Sequence, residues 1–294
     1  MHYSEGARWR PIFETTPAAL QIATGCGHNA CKFCTMYKKA QFSLSDRAEI
    51  EADIDEMARV WIAQPERIFL TGGNAFGAPQ EHLVFALRLI REKLPRVKSI
   101  GCFARVGDVK EKTDDELAEL SVLGIDDISI GAEGGYDPAL AFVGKGHTAA
   151  DIVEQCARLD AAGIAYGLFY LAGIAGAGKW EENVRATVEV YGQTHPRRIM
   201  VHTLTMFEGA PLLRDIARGD FIPEDELDIL RELRMLFAEL PISTFVLAAH
   251  PGNATPFKAH LPEDRDAVLA HLDRAIARWD EETLRTMRAQ VKSM

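Results

Sequence analysis

The chain has 294 residues, 47% hydrophobic and 26% charged, a globular balance with length enough for a large core. Its formal net charge of −10 opposes a polyanionic partner, which disfavours nucleic acid as the main ligand. Five cysteines, three of them clustered, do not make a disulfide framework, and no apolar leader opens the sequence, which reads as cytoplasmic.

In chain order, the apolar run 19–24 (ALQIAT) predicts a first strand, followed at once by the loop GCGHNACKFCTMYK (25–38). Ile50, Ile54, Met57 and Trp61 then form a helical stripe. A second strand at 67–71 (RIFLT) ends in TGGNAF (71–76), and Leu83, Leu87, Ile90 and Leu94 mark the next helix. The third strand, 98–103 (KSIGCF), ends in ARVGD (104–108), ahead of a helix carrying Leu117, Leu120 and Leu123. The fourth, 126–131 (DDISIG), leads into AEGG (132–135), with a helix through Ile152, Cys156, Leu159 and Gly163. The fifth, 164–172 (IAYGLFYLA), ends in GIAGAGK (173–179), and the sixth, 198–205 (RIMVHTLT), in MFEGAP (206–211). Leu230, Leu233, Phe237 and Leu240 form one more stripe. After residue 240 the rhythm breaks into a run at 244–249 (TFVLAA), a loop, and a long helix from about Pro262 with Leu269, Leu272, Ile276 and Trp279 on one face.

Strands alternating with amphipathic helices predict βα units and a mainly parallel sheet, either doubly wound or a barrel. We expect one barrel-like body over 1–240, with 241–294 as an extension packed on the same domain. In such folds chemistry gathers at the carboxyl ends of the strands. That rule brings the cysteine loop and the glycine-bearing loops to one functional face.

Two stretches invite other readings. Residues 161–178 carry no charge, at the lower limit for a membrane span. Their glycines fit a helix end, a turn at Gly163, a buried strand and a glycine loop better. GIAGAGKW (173–180) fits G-x4-G-K, but Trp180 stands where a phosphate-binding loop needs Ser or Thr for magnesium.

Cys26, Cys31 and Cys34 are spaced C-x4-C-x2-C. Thiolates suit iron–sulfur clusters, zinc and Cu(I). With His28 they would make a Cys3His zinc set, although structural zinc usually draws on two separated ligand pairs. A [4Fe–4S] cluster normally takes four thiolates. Cys156 sits on an apolar helix stripe and Cys102 within a strand, so neither is an evident fourth ligand. Three thiolates would leave one iron open.

This loop resembles that of the radical S-adenosylmethionine (radical SAM) superfamily. Most of its members carry a C-x3-C-x2-C loop after the first strand of a partial (β/α)6 TIM-type barrel, commonly with an aromatic residue before the third cysteine, here Phe33; this chain departs from that spacing with x4, as some subgroups do. The resemblance implies a [4Fe–4S] cluster on Cys26, Cys31 and Cys34, with S-adenosylmethionine on the fourth iron. It further implies reductive cleavage to a 5′-deoxyadenosyl radical that abstracts hydrogen from substrate. TGGNAF resembles the GGE motif that binds the methionine amino group: Gly72 and Gly73 match, and Asn74 replaces the acid. Glu133 matches an acidic ribose-binding position, Lys145 a basic residue for the methionine carboxylate, Arg105 an arginine of related third-strand loops, and Gly173 the adenine-contacting loop. Read without the resemblance, Glu133 and Lys145 are solvated charges, Arg105 a structural ion pair, and Gly72–Gly73 a tight turn.

The implied partners are a small-to-medium metabolite and a one-electron donor of the flavodoxin or ferredoxin type, with no membrane. Tyr170, His202, Thr205, Glu208, His250, Asn253 and Lys258 are substrate-side candidates. The competing reading is a non-catalytic iron–sulfur, zinc-binding or electron-transfer protein.

Overall fold

The computed structural model describes residues 1–3, 9–15, 18–60 and 65–291. Trp61, the last position of the first helical stripe, lies outside the described residues. The chain divides into two compact units, the first comprising Met1–Asn29, Met36–Gly131 and Ala157–Tyr166.

In that unit β1 (Ala19–Gln21) is followed by β2 (Ala23–Thr24), which pairs antiparallel with β3 (Ser43–Leu44). Next come α1 (Arg47–Val60), β4 (Arg67–Thr71), a 3-10 turn (Ala75–Gly77), α2 (Gln80–Lys93), β5 (Ser99–Ala104), α3 (Val106–Lys110), α4 (Asp114–Val122) and β6 (Ile125–Glu133). β1, β4, β5 and β6 pair in that order, all parallel. Ile50, Ile54 and Met57 of α1, and Leu83, Leu87 and Ile90 of α2, are fully buried. Each such side chain contributes roughly 1.5–3 kcal/mol of burial. At the amino end of β4, Arg67 donates to Glu14 (2.8–3.1 Å) and fills the space that a side chain at Gly101 would need.

The second unit comprises Ala30–Thr35, Ala132–Cys156 and the chain from Gly167 onward. Its elements are α5 (Asp137–Phe142), α6 (Ala149–Ala162, shared with the first unit), β7 (Ala165–Ala172), α7 (Trp180–Tyr191), β8 (Arg198–Thr203), α8 (Leu212–Arg218) and α9 (Glu226–Glu239). There follow β9 (Thr244–Leu247), β10 (Lys258–Leu261), α10 (Arg265–Arg278) and α11 (Glu281–Ala289). β7, β8 and β9 are parallel, and β10 returns antiparallel on β9. Register pairs Tyr170 with Val201 and Leu171 with His202. Tyr170 turns to α7 and α9, where Asn183 and Glu232 meet its hydroxyl, so alternation puts Phe169, Leu171, Met200 and His202 on the other face.

The expected first strand, 19–24, is broken into β1 and β2, which pair in different sheets, while the other expected strands are β4, β5, β6, β7 and β8, each leading on to helix, and β9 follows residue 240. Residues 161–178 are a helix end, a turn, β7 and a glycine loop. Among the described residues no helix is long and apolar enough to cross a membrane. The extension differs in two places. The expected loop contains β10, and the expected long helix is two helices. The break falls at Asp280, whose side chain accepts from Thr283 N and caps α11, with Glu281 and Glu282 in the first turn.

Candidate active site

In the first unit the second-strand glycines grip the cysteine loop. Gly73 N donates to Gly25 O (2.7 Å), and Gly27 N donates to Asn74 Oδ1 (2.9 Å), so two hydrogen bonds bracket Cys26. A Cβ on Gly73 would overlap Gly25 O, the Cys26 Cβ and the Tyr37 ring, which explains the glycine. Asn74, 4% exposed, donates from Nδ2 to Asp108 Oδ1 (3.0 Å) and Oδ2 (3.2 Å). Asp108 also accepts from Arg105 N (2.8 Å) and Nε (3.1 Å). Arg105 is therefore held in an ion pair, and the chain bends at Gly72 and turns at Gly73 and Asn74. Asn29, at φ 43 in the left-handed region, donates from Nδ2 to Tyr37 O (2.9 Å) and fixes the widened span between Cys26 and Cys31.

Cys31 and Cys34 lie in the second unit, both half-buried and outside any disulfide, as is Cys26 in the first. Lys32 between them is anchored three ways. Its N donates to Val143 O (2.8 Å), its O accepts from Leu212 N (2.9 Å), and its Nζ pairs with Asp215 (3.1 Å). Lys145, 5% exposed, pairs with Glu133 at 3.1 Å and lies 5.8 Å from the Phe33 ring centroid. Burial opposes its charge, but Glu133, Cys31 and Cys34 outweigh burial and hold its pKa above the ordinary lysine value. Glu133 has φ 72, rare for a residue with a Cβ. Strain of this kind persists where the surroundings impose it, often at functional sites. Phe33, Glu133, Lys145 and two cysteines, separately singled out in the sequence, thus converge in one unit.

The loop after β7 is held from behind. Glu232, fully buried on α9, accepts from Gly173 N (2.8 Å), Tyr170 Oη (2.5 Å) and Asn183 Nδ2 (2.9 Å). Burial pushes its carboxyl up to about 7, although these donors pull it back toward ordinary values. Gly173, at φ 81, borders a cavity of about 330 Å³ with Leu204, Glu224, Ile229 and Arg288. Phe33 and Leu204 pack on the buried cluster of Ala139, Val143, Leu171 and Ile174. Lys179, the lysine of the apparent phosphate loop, is exposed beside Glu182.

The remaining candidates sort clearly. Tyr170 belongs to the Glu232 network. Asn253 clasps Thr203, Val201 and Ala248, a structural role. Glu208 and Lys258 are exposed. His202 and His250 stack with centroids 4.2 Å apart, and Phe169 meets His202 edge-on at 5.2 Å. Thr205 accepts from Arg288 (3.1 Å). Cys102 and Cys156 are buried, and burial pushes the Cys102 thiol far above its ordinary value. Sequence reasoning missed Asp108, Asn183 and Glu232. Only Glu232 carried a signal, an acid on the apolar stripe between Ile229 and Leu236.

Six expected strands each lead on to helix, and a loop with three cysteines follows the first. The sequence profile of the Radical SAM superfamily matches residues 20–189, more than half of the chain, and the chain belongs to that superfamily. Its members are enzymes that use a [4Fe–4S] cluster and S-adenosylmethionine. No curated protein matched the sequence.

Among solved structures, the chain is similar to methylornithine synthase (PylB) at 16% identity, with 94% of this chain and 82% of that one covered and a TM-score of 0.55. Coproporphyrinogen III oxidase (HemN) from Escherichia coli aligns at 16% identity, covering 75% and 52%, with a TM-score of 0.56. The radical S-adenosylmethionine methyltransferase TsrM from Kitasatospora setae, solved with cobalamin and a [4Fe–4S] cluster, aligns at 17% identity with a TM-score of 0.54. The alignment covers 69% of this chain but spans only 39% of TsrM. At these identities the likeness concerns the fold, an α/β partial (β/α)6 TIM-type architecture.

The residues present fit the family's cofactors. Three half-buried thiols supply the soft donors, and buried Lys145 would offset the negative charge of Cys31 and Cys34 bound as thiolates. Among the described residues no three His, Cys, Asp or Glu side chains gather as a single-ion site.

Proposed function

We propose that Cys26, Cys31 and Cys34 hold three irons of a [4Fe–4S] cluster, and that the chain uses it to start radical chemistry on a small-to-medium metabolite. When bound, the cluster and S-adenosylmethionine supply one-electron cleavage of the sulfonium C5′–S bond, giving methionine and a 5′-deoxyadenosyl radical that takes a hydrogen atom from substrate. The observation that carries this reading is the meeting of Lys145, Glu133 and Phe33 in the unit that also holds Cys31 and Cys34.

Each residue then has a task. Lys145 binds the methionine carboxylate and Glu133 the ribose hydroxyls, so ligand replaces part of their mutual pairing. Gly72, Gly73 and Asn74 serve the amino-group side, with Arg105 beside them. The Gly173 backbone and the Phe33 ring form the nucleoside's surroundings. The face with Phe169, His202 and His250 meets the substrate and keeps water from it. A flavodoxin- or ferredoxin-type protein delivers the electron, in the cytoplasm.

The test is anaerobic reconstitution. The wild-type chain should take up about four irons and release 5′-deoxyadenosine with dithionite and S-adenosylmethionine. Cys31→Ala should do neither. A Cys31→Ala chain that does both would sink the assignment.

A further inference from the structure

The motif at the second-strand loop departs from its expected form: Asn74 stands where an acid is expected. Its amide has a definite orientation. The oxygen faces the Gly27 N–H and the nitrogen faces the Asp108 carboxylate. Turning the amide over would set nitrogen against N–H and oxygen against carboxylate. A carboxylate at position 74 could still accept from Gly27, but it would lie against Asp108 as a like charge. Asparagine is the side chain that can accept from the loop and donate to the acid.

Asp108 is itself 2% exposed, and its charge is answered by Arg105 through Nε, Nη2 and backbone N. Gly77 leaves the room for this contact, since a Cβ there would overlap Asn74 Nδ2 and Asp108 Oδ1. A continuous chain of polar contacts therefore runs Arg105–Asp108–Asn74–Gly27. It ends on the residue after Cys26, while Gly73 N holds Gly25 O on the other side.

We propose that Asn74, backed by Asp108, is a positioning residue that fixes the backbone just after Cys26 for cluster binding, while Gly73 N holds Gly25 on the other side. This rests on the reading of Cys26 as an iron ligand. Groups that orient a metal ligand in this way govern how firmly the metal is kept.

The test uses the full chain as wild type, Asn74→Ala, Asn74→Asp, and the exchange Asn74→Asp with Asp108→Asn. Each is reconstituted anaerobically, checked by circular dichroism, challenged with an iron chelator, and examined by EPR after reduction, with and without S-adenosylmethionine. Asn74→Ala and Asn74→Asp should retain iron roughly 10–100-fold less well than wild type per folded chain. The exchange restores one carboxylate facing one amide and should recover much of that loss. Unchanged iron retention and an unchanged EPR response in Asn74→Ala would overturn the proposal, as would an exchange variant no better than Asn74→Asp. If the wild-type chain binds no iron, the cluster reading itself fails and the proposal falls with it. The two failures are thereby distinguished.

Discussion

Glu133 and Lys145, twelve residues apart in the chain, form a part-buried ion pair at 3.1 Å. Glu133 enters it from a left-handed backbone at the end of β6, with φ 72. Lys145 enters it from the turn after α5, where its N donates to Leu140 O (3.0 Å). Two charged groups that each bind ligand in the proposed function are thus paired with each other.

Breaking this pair from one side should be costly. Lys145→Met leaves the Glu133 carboxylate without its cation and should lower apoprotein stability by about 3 kcal/mol, read by urea unfolding. Lys145→Met with Glu133→Gln should be less destabilised than Lys145→Met alone. Equal stability of wild type and Lys145→Met would mean that the pair is not formed in solution.

Glu232 should make stability depend on pH. Its carboxyl is raised from 4.5 to about 7, mainly by burial, with Glu224 adding a like charge and Tyr170 and Asn183 donating to it. A raised acid favours the folded state most where it is protonated. Its contribution is complete below 4.5 and lost as pH rises through about 7. The span is on the order of 3 kcal/mol. Urea unfolding of the apoprotein at pH 5 and pH 8 should show this fall in wild type, and Glu232→Gln should reduce it. An identical pH dependence in Glu232→Gln would reject it.

Two glycines should behave differently when replaced by alanine. Gly73→Ala forces a Cβ into Gly25, Cys26 and Tyr37, so the cysteine loop must move. Gly178→Ala meets nothing but keeps a left-handed φ of 71, a strain of roughly 1–2 kcal/mol. Gly73→Ala should therefore impair iron uptake far more than Gly178→Ala does, measured as iron per chain after reconstitution.

The sequence made most of the fold legible because its strands are short apolar runs and its helices carry clean stripes. Leu83, Leu87 and Ile90 are buried as their spacing requires. β10 escaped because KAHL offers only alanine and leucine as inward residues, a weak alternation. The cysteine loop, Glu133 and Lys145 were legible as motif positions, but their pairing was not. Asp108 had no local signal, since it meets Asn74 from 34 residues away. Glu232 did have one, an acid on an apolar stripe, but its partner Tyr170 lies 62 residues away in sequence.

The central claim is a cluster held by three cysteines, with an iron left for S-adenosylmethionine. EPR of the reduced, reconstituted chain tests it most directly. The account predicts an iron–sulfur signal that shifts or changes in intensity when S-adenosylmethionine is added, and no such signal in the triple variant Cys26→Ala, Cys31→Ala, Cys34→Ala. A reduced cluster with the same spectrum in the presence and absence of S-adenosylmethionine would contradict it.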